Sequence, residues 1–124
     1  MAPSSNEKDR QIRCIRMMLD FRALFVARKR PPEETLVQLA IRLGEYEGKP
    51  VSATDIADLV KIPRTSVLRH LSALQAQGQI RAEKVGRRVM LRPLKDDFPR
   101  NREFYRDVER IVRLVCRELS KMDT

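Results

Sequence analysis

The sequence predicts a mainly α-helical fold with one small β-hairpin, and three observations carry that prediction. Apolar residues recur three and four positions apart in five stretches, which is the spacing of one buried helix face. Two short, partly alternating runs flank Gly86 and predict the hairpin. A chain of 124 residues with 42% hydrophobic and only 5% aromatic residues is long enough for one modest aliphatic core.

Residues 52–63 predict a short helix followed by a bend. Ser52 stands where a hydroxyl can accept hydrogen bonds from the free amides of a helix start. The buried stripe of this helix is predicted to contain Ile56, Leu59 and Val60. Pro63 disfavours helical geometry at Ile62 and suits the first turn of a new helix, so two helices meet here at an angle. That bend is a helix-turn-helix.

The second helix of the pair, predicted over about residues 63–77, has an apolar side and a polar side. The apolar side, which should face the core, consists of Val67, Leu71 and Leu74. The polar side carries Arg64, Thr65, Ser66, Arg69, His70 and Ser72. Because arginine forks onto guanine and hydroxyl groups reach phosphates or base edges, this helix is suited to the major groove of DNA. The alternative is an ordinary solvated polar face.

A basic hairpin is predicted directly after this helix. Gly78 ends the helix, since only glycine takes the left-handed cap conformation at low cost. Strands are predicted over residues 80–83 and 88–91, with Gly86 at the tip. The cations of the tip are Lys84, Arg87 and Arg88. Such a wing would lie along phosphates or in the minor groove, although a solvated charged hairpin remains the alternative.

Residues 54–91 resemble the winged-helix modules of bacterial transcription regulators of the MarR type. The matching motifs are Asp55-Ile56-Ala57, Pro63-Arg64-Thr65-Ser66-Val67 followed by Arg69, Leu71 and Leu74, and Gly78-Gln79-Ile80. The DNA-binding module of IclR-type regulators is equally similar over the helix pair. The resemblance implies base or phosphate contacts from Arg64, Thr65, Ser66 and Arg69, and wing contacts from Arg87 and Arg88. A wing this short is unusual for MarR proteins.

The charge balance favours a polyanionic partner. Lys and Arg number 26 against 17 Asp and Glu, which gives a formal net charge of +9. Double-stranded DNA and an acidic membrane surface are the two polyanions to consider. No uncharged run approaches the roughly 18 residues of a membrane span, and residues 1–8 lack the apolar core of a signal peptide. We therefore expect a cytoplasmic, nucleoid-associated protein without a membrane partner.

The N-terminal helix, predicted over about residues 7–28, is apolar on more than one side. One stripe contains Ile12, Ile15, Leu19, Ala23 and Val26. Flanking positions widen it with Cys14, Met17, Met18, Phe21, Leu24 and Phe25. A single winged module would cover only one side, so the excess predicts a second copy of the chain. Pro31-Pro32 ends this helix after the basic run from Arg28 to Arg30.

The C-terminal helix, predicted over residues 100–122 after a linker at 93–99, is the longest amphipathic stretch. With the first helix it is predicted to form a homodimer platform, intramolecular packing alone being the alternative. The predicted interface residues are Ile12, Ile15, Leu19, Phe104, Val108, Ile111, Val112, Val115 and Leu119. The predicted segments are thus 1–30 for the first platform helix, 31–93 for the winged helix-turn-helix and 94–124 for the second platform helix.

Residues 33–51 connect the first helix to the helix pair. A helix is predicted from Glu33 to about Glu47, opening the winged module. Its buried face is predicted to contain Leu36, Leu39, Ala40 and Leu43, with Val37 and Ile41 beside it. Gly48-Lys49-Pro50 then turns the chain into Val51, which is predicted to pair with the hairpin as a short strand.

The sequence offers no pattern for catalysis, a metal or a cofactor, so we expect a non-enzymatic protein. His70 is the only histidine and is expected to be an exposed helix residue or a phosphate contact. Cys14 and Cys116 both fall in apolar helical stripes. The simpler hypothesis is that both thiols are buried by packing. The alternative is a redox switch, in which the two cysteines meet across the dimer platform.

Three functional classes are compatible with these patterns. The first is a sequence-specific, dimeric transcription regulator, preferentially a repressor, on an inverted-repeat operator. The second is a nucleic-acid binder without sequence preference, of the nucleoid or plasmid-maintenance type. The third is a winged-helix module that binds an acidic protein. A small-molecule effector is compatible with the first class, but no polar constellation indicates one.

Overall fold

The computed structural model describes Ala2, residues 4–94 and residues 98–123, with the side chains of residues 98–100 left aside. The helices are α1 (Ser5–Ala27), α2 (Pro32–Tyr46), α3 (Ala53–Val60), α4 (Arg64–Ala76) and α5 (Phe98–Met122). The strands are β1 (Ile80–Val85) and β2 (Arg88–Pro93). The predicted mainly helical fold with one hairpin is confirmed. One compact unit contains α1 and α5, and the other contains the elements from α2 to β2.

The second unit has a small aliphatic core to which every one of its elements contributes. The buried apolar residues are Val37, Ala40, Ile41, Ile56, Val67, Leu71, Leu74, Ile80 and Leu91. The three residues predicted to face the core from α4, namely Val67, Leu71 and Leu74, are all among them. Because α4 and the hairpin pack on the same core, this core fixes the position of the polar side of α4 relative to the wing.

The bend between α3 and α4 has the predicted form. The hydroxyl of Ser52 accepts from the backbone N–H of Asp55, and the Asp55 carboxylate accepts from the backbone N–H of Ser52, which is a capping box. Lys61 ends α3 in the left-handed conformation at φ 64°, and Pro63 precedes α4. The helix-turn-helix is therefore confirmed.

The prediction that Leu59 belongs to the buried stripe of α3 is wrong, because its side chain is 51% exposed. The packed side of α3 consists of Ala53, Ile56, Ala57 and Val60. These positions lie on one side of the helix, and Leu59 lies on the neighbouring flank.

The predicted buried face of α2 is also shifted. Its buried residues are Glu34, Thr35, Val37, Ala40, Ile41 and Gly44, whereas Leu43 is 46% exposed. The helix is apolar on two sides, and the side with small residues is the one that packs. A Cβ atom at Gly44 would lie 2.8 Å from the carbonyl oxygen of Lys49, so the chain after α2 approaches the helix closely there.

The hairpin is longer and its turn tighter than predicted. The strands are antiparallel, and Val85 pairs with Arg88, which leaves Gly86 and Arg87 as a two-residue turn. Gly86 adopts φ 64°, as expected at the tip, and Gly78 adopts φ 69° after α4. The predicted pairing of Val51 is confirmed as a bridge to Leu91, whose N–H donates to the Val51 carbonyl at 2.8 Å.

Helices α1 and α5 pack against each other in opposite directions. Arg10 near the start of α1 forms an ion pair with Asp123, beyond the end of α5. At the other end, the rings of Phe25 and Phe104 stack with centroids 6.3 Å apart. Helix α5 begins at Phe98, two residues earlier than predicted. Of the predicted linker, residues 95–97 lie outside the described residues.

The predicted dimer-interface residues divide into three groups by their exposure in the single chain. Val115 is buried within the single chain, with 8% exposure. The half-buried members are Ile12, Phe104, Val108, Ile111 and Leu119. The exposed members are Ile15 at 50%, Leu19 at 62% and Val112 at 40%.

Among the described helices, none is long and apolar enough to cross a membrane.

Candidate nucleic-acid interface

The outer side of α4 presents an unpaired arginine at an uncapped helix start. Arg64 and Thr65 are exposed, and within the described residues Arg64 makes no hydrogen bond or ion pair. Pro63 supplies no side-chain cap, and the first turn contains no acidic residue. Helices α1 and α3 differ, since capping boxes occupy their first amides. The first turn of α4 thus combines free amide donors, a positive dipole end and a cation, which together favour an anion such as phosphate.

Arg69 and Ser66 follow one turn later. Arg69 is exposed and donates to the Ser66 hydroxyl at 3.3 Å, while Ser66 itself is half-buried. This contact is weak and solvent-exposed, so the guanidinium can leave it for a base edge or a phosphate at small cost.

A groove of about 490 Å³ separates α4 from the hairpin. Residues that line it from α4 are Arg64, Leu68, Leu71, Ser72 and Gln75. Residues that line it from the hairpin include Ala82, Arg87, Arg88 and Val89. The groove therefore brings Arg64 of the helix and Arg87 of the wing tip to one surface, although they are far apart in sequence.

The three predicted wing cations have different environments. Lys84 and Arg87 are exposed and have no ion-pair partner in the described part of the chain. Arg88 instead donates to the Asp55 carboxylate at 2.8 Å and to the Ser52 hydroxyl at 3.3 Å. Arg88 thus attaches the wing to the start of α3, while Lys84 and Arg87 remain available at the tip.

The Asp55 carboxylate is the acceptor that holds this corner together. The Ser52 backbone N–H donates to it at 3.0 Å and lowers the pKa of Asp55 below its ordinary value, against the opposing effect of burial. The Ser52 hydroxyl and Arg88 lower this pKa further. Asp55 is therefore ionised at neutral pH and can form an ion pair with Arg88.

A second ion pair, which the sequence did not reveal, attaches the other end of the wing to α2. Arg92 donates from Nε and from one terminal nitrogen to the two carboxylate oxygens of Glu45, at 2.8 and 2.7 Å. This hydrogen bonding lowers the pKa of Glu45 against the opposing effect of burial. Glu83 adds a 3.5 Å contact to Arg92. No sequence pattern joins residues 45 and 92, because only the fold brings them together.

His70 lies apart from the other predicted contact residues. Its side chain is only 13% exposed, and Nε2 is 3.3 Å from a carboxylate oxygen of Glu33 on α2. The expectation of an exposed helix residue is wrong, because His70 lies on the flank of α4 that faces α2. A nucleic-acid contact by His70 stays a prediction that this geometry does not favour.

The two cysteines are free and differ in environment. Cys14 is half-buried, whereas Cys116 is exposed, so buried packing is wrong for Cys116. Among the described residues, no group of three His, Cys, Asp or Glu side chains is placed to hold a metal ion.

Comparison with known proteins identifies structural neighbours only. No family model matches the sequence, and no curated protein matches it. One similar solved structure is that of Bordetella bronchiseptica BpsR, whose DNA binding is regulated by 6-hydroxynicotinic acid. Its TM-score is 0.58 at 17% identity, over 85% of this chain and 75% of that one.

A second similar structure is the transcriptional regulator PA4135. Its TM-score is 0.57 at 19% identity, over 97% of this chain and 84% of that one. At such low identity these likenesses establish the fold and nothing finer. The chain therefore shares its fold with these two proteins.

Proposed function

We propose that the protein is a sequence-specific, double-stranded DNA-binding transcription regulator of the MarR-like kind. The observation that carries this proposal is the surface shared by α4 and the wing, where Arg64 and Arg87 line one groove. Both are cations without a protein partner in the described residues. Unpaired cations beside the free amides of a helix start can bind the phosphates of a nucleic acid. The fold shared with the DNA-binding protein BpsR and the transcriptional regulator PA4135 supports the same function.

Each residue of the surface has a proposed role. Arg64 and Arg69 read base edges in the major groove, or contact the flanking phosphates, together with Thr65 and Ser66. Lys84 and Arg87 contact phosphates or the minor groove. The main role of Arg88 is to position the wing through its ion pair with Asp55 at 2.8 Å. Direct contact between Arg88 and DNA is secondary.

The proposed regulator is a cytoplasmic homodimer that acts as a repressor. Helix α1 contains no buried residue in the single chain, and its exposed large apolar residues are Ile15, Met18, Leu19 and Val26. A second copy would remove this apolar surface from water. Twofold symmetry would place the two α4 helices about 34 Å apart, in successive major grooves of an inverted repeat. Repression would follow from occlusion of the promoter.

The test is capture of sheared genomic DNA at physiological salt by the wild-type protein and two variants. Arg64→Ala/Arg69→Ala removes the proposed base readers. Arg42→Ala/Arg81→Ala removes the same charge elsewhere in the winged unit, where Arg42 stacks on Tyr46 and Arg81 pairs with Glu83. Ala82, the neighbour of Arg81, lines the groove, so Arg81 lies on the other face of the hairpin.

We expect one or a few inverted-repeat sites to be enriched by the wild type and by the control, and lost with the reader variant. Specific sites should exceed non-specific binding by about a thousandfold or more. Uniform recovery of all fragments would contradict sequence-specific function and indicate a general nucleic-acid binder. Specific sites that survive in the reader variant would overturn the assignment of α4, and absence of DNA capture would indicate a protein-interaction module.

A further inference from the structure

Helix α5 has a line of basic residues that the proposed function does not use. They recur at spacings of four, four, three, four and four positions, and we call them the basic ridge: Arg102, Arg106, Arg110, Arg113, Arg117 and Lys121. All six are exposed. These spacings keep the residues on one side of a helix, and the ridge extends over about 28 Å at about 1.5 Å per residue.

The ridge lies on the side of α5 that faces away from α1. The opposite side contains Val115, which is buried, and Phe104, which stacks on Phe25 of α1. Three ridge members, Arg106, Arg113 and Arg117, have no hydrogen bond or ion pair with any described residue. The ridge is therefore not explained by packing between the two helices.

Like charges three and four positions apart on a helix repel each other and weaken it. Acidic neighbours relieve part of this repulsion: Asp107 accepts from Arg110 at 2.8 Å, and Glu103 and Glu109 lie three or four positions from Arg106 and Arg113. The remaining repulsion would be relieved by a bound polyanion whose charges repeat along a line. Six of the chain's basic residues are thus aligned on one exposed surface.

The structure also narrows the class of partner. An interfacial membrane helix needs a free apolar face, but the apolar face of α5 packs against α1. An open groove of about 610 Å³ borders the ridge, yet all the residues that line it belong to α5, between Arg106 and Arg117. A groove with walls from one helix cannot enclose a small anion as a ligand pocket does.

We propose that the basic ridge is a second DNA-binding surface, which contacts the phosphate backbone of duplex DNA without reading its sequence. Five of its six residues are arginines, whose planar forks fit phosphate oxygens with two donors at once. Its length matches about eight base pairs at about 3.4 Å each. This contact is independent of the one proposed for α4 and the wing.

The test measures how binding to a mixed-sequence DNA duplex of 40 base pairs depends on salt concentration. Arg106→Gln/Arg113→Gln/Arg117→Gln removes the three unpaired ridge charges and keeps good helix formers on the exposed side. Arg42→Gln/Lys49→Gln/Arg81→Gln removes three charges from the winged unit, outside the proposed contacts. Circular dichroism checks that both variants retain the wild-type helix content.

We expect the slope of log affinity against log salt to become shallower by about 0.9 per lost phosphate contact, and so by nearly three in the ridge variant. The control should keep the wild-type slope. Equal slopes in all three proteins would overturn the proposal, and equal losses in both variants would show that net charge alone is responsible. Loss of binding to anionic lipid vesicles or to polyglutamate, with an unchanged DNA slope, would assign the ridge to another partner.

This outcome is separable from that of the proposed regulator function. The mixed-sequence duplex contains no operator, so the ridge result does not depend on finding one. In the genomic capture assay, Arg64→Ala/Arg69→Ala should reduce the preference for specific sites. The ridge variant should keep that preference and lose affinity for all duplexes alike.

Discussion

Arg92 on β2 donates two hydrogen bonds to the carboxylate of Glu45 on α2, at 2.8 and 2.7 Å, and so joins residues 47 positions apart. Near the turn of the hairpin, Arg88 donates from one terminal nitrogen to the Asp55 carboxylate at 2.8 Å. The wing is therefore attached to the helices by an ion pair towards each end of β2. The Arg92–Glu45 pair, with two donors, fixes orientation as well as distance. The orientation of the wing tip, where Lys84 and Arg87 lie, depends on both ion pairs.

Glu45→Gln should weaken the attachment of the wing. Both side chains of the Glu45–Arg92 pair are 31% exposed, so we expect the free energy of unfolding to fall by only about 1 kcal/mol. DNA affinity should fall too, because the wing is less well oriented. Urea unfolding and a DNA titration measure both effects. Glu47→Gln is the matched control, since Glu47 is exposed beside the same helix end; equal effects of the two variants would contradict a role for the pair.

Acid should destabilise the winged unit through the same carboxylates. The pKa values of Glu45 and Asp55 are lowered from their ordinary values of 4.5 and 3.8. A group whose pKa is lower in the folded state stabilises fully above its unfolded pKa and loses that contribution as pH falls through the folded value. We expect stability to decline below about pH 4.5. Unfolding of Glu45→Gln, followed against pH, should show a shallower decline; parallel curves would exclude Glu45 as a contributor.

Leu74→Ala and Leu59→Ala should differ widely although both remove the same atoms from a helix. Leu74 is fully buried in the core, so the first variant should lose about 2–5 kcal/mol of unfolding free energy. Leu59 is mostly exposed, and its loss should cost no more than about 0.5 kcal/mol in the monomeric unit. Chemical denaturation of both proteins checks this. Similar losses of unfolding free energy in the two variants would contradict the finding that Leu59 lies outside the buried face of α3.

Leu19→Asp should dissociate the proposed homodimer. Leu19 is 62% exposed on α1, so a charge there is tolerated in the single chain but would be buried in an apolar interface at high cost. Sedimentation equilibrium should show a dimer for the wild type and a monomer for the variant. Leu43→Asp, at an exposed leucine of α2, is the control. A wild-type protein that is monomeric at all concentrations would contradict the dimer.

Some elements of the fold could be predicted because they depend on local sterics. Pro63 prevents continuation of the preceding helix, and Gly78 and Gly86 supply positive φ angles at low cost. These residues place the bend, the end of α4 and the tip of the wing within a residue or two. The polar first turn of α4, with Arg64 and Thr65 outside, follows in the same way from the periodicity of Val67, Leu71 and Leu74.

The choice between two apolar helix faces was decided only by tertiary packing. Helix α2 could bury Leu43 or Ile41, and it buries Ile41 because Gly44 allows close approach on that side. The partners of Arg88, Arg92 and His70 also depend on the fold, since residues 33–47 positions away supply their carboxylates. Local stereochemistry and charge were enough to predict the helices, the bend, the wing and the basic character of the surface. Which cations pair inside the molecule, and which remain unpaired at the surface, depends on the tertiary structure, because a salt bridge between distant residues forms only when packing brings them together.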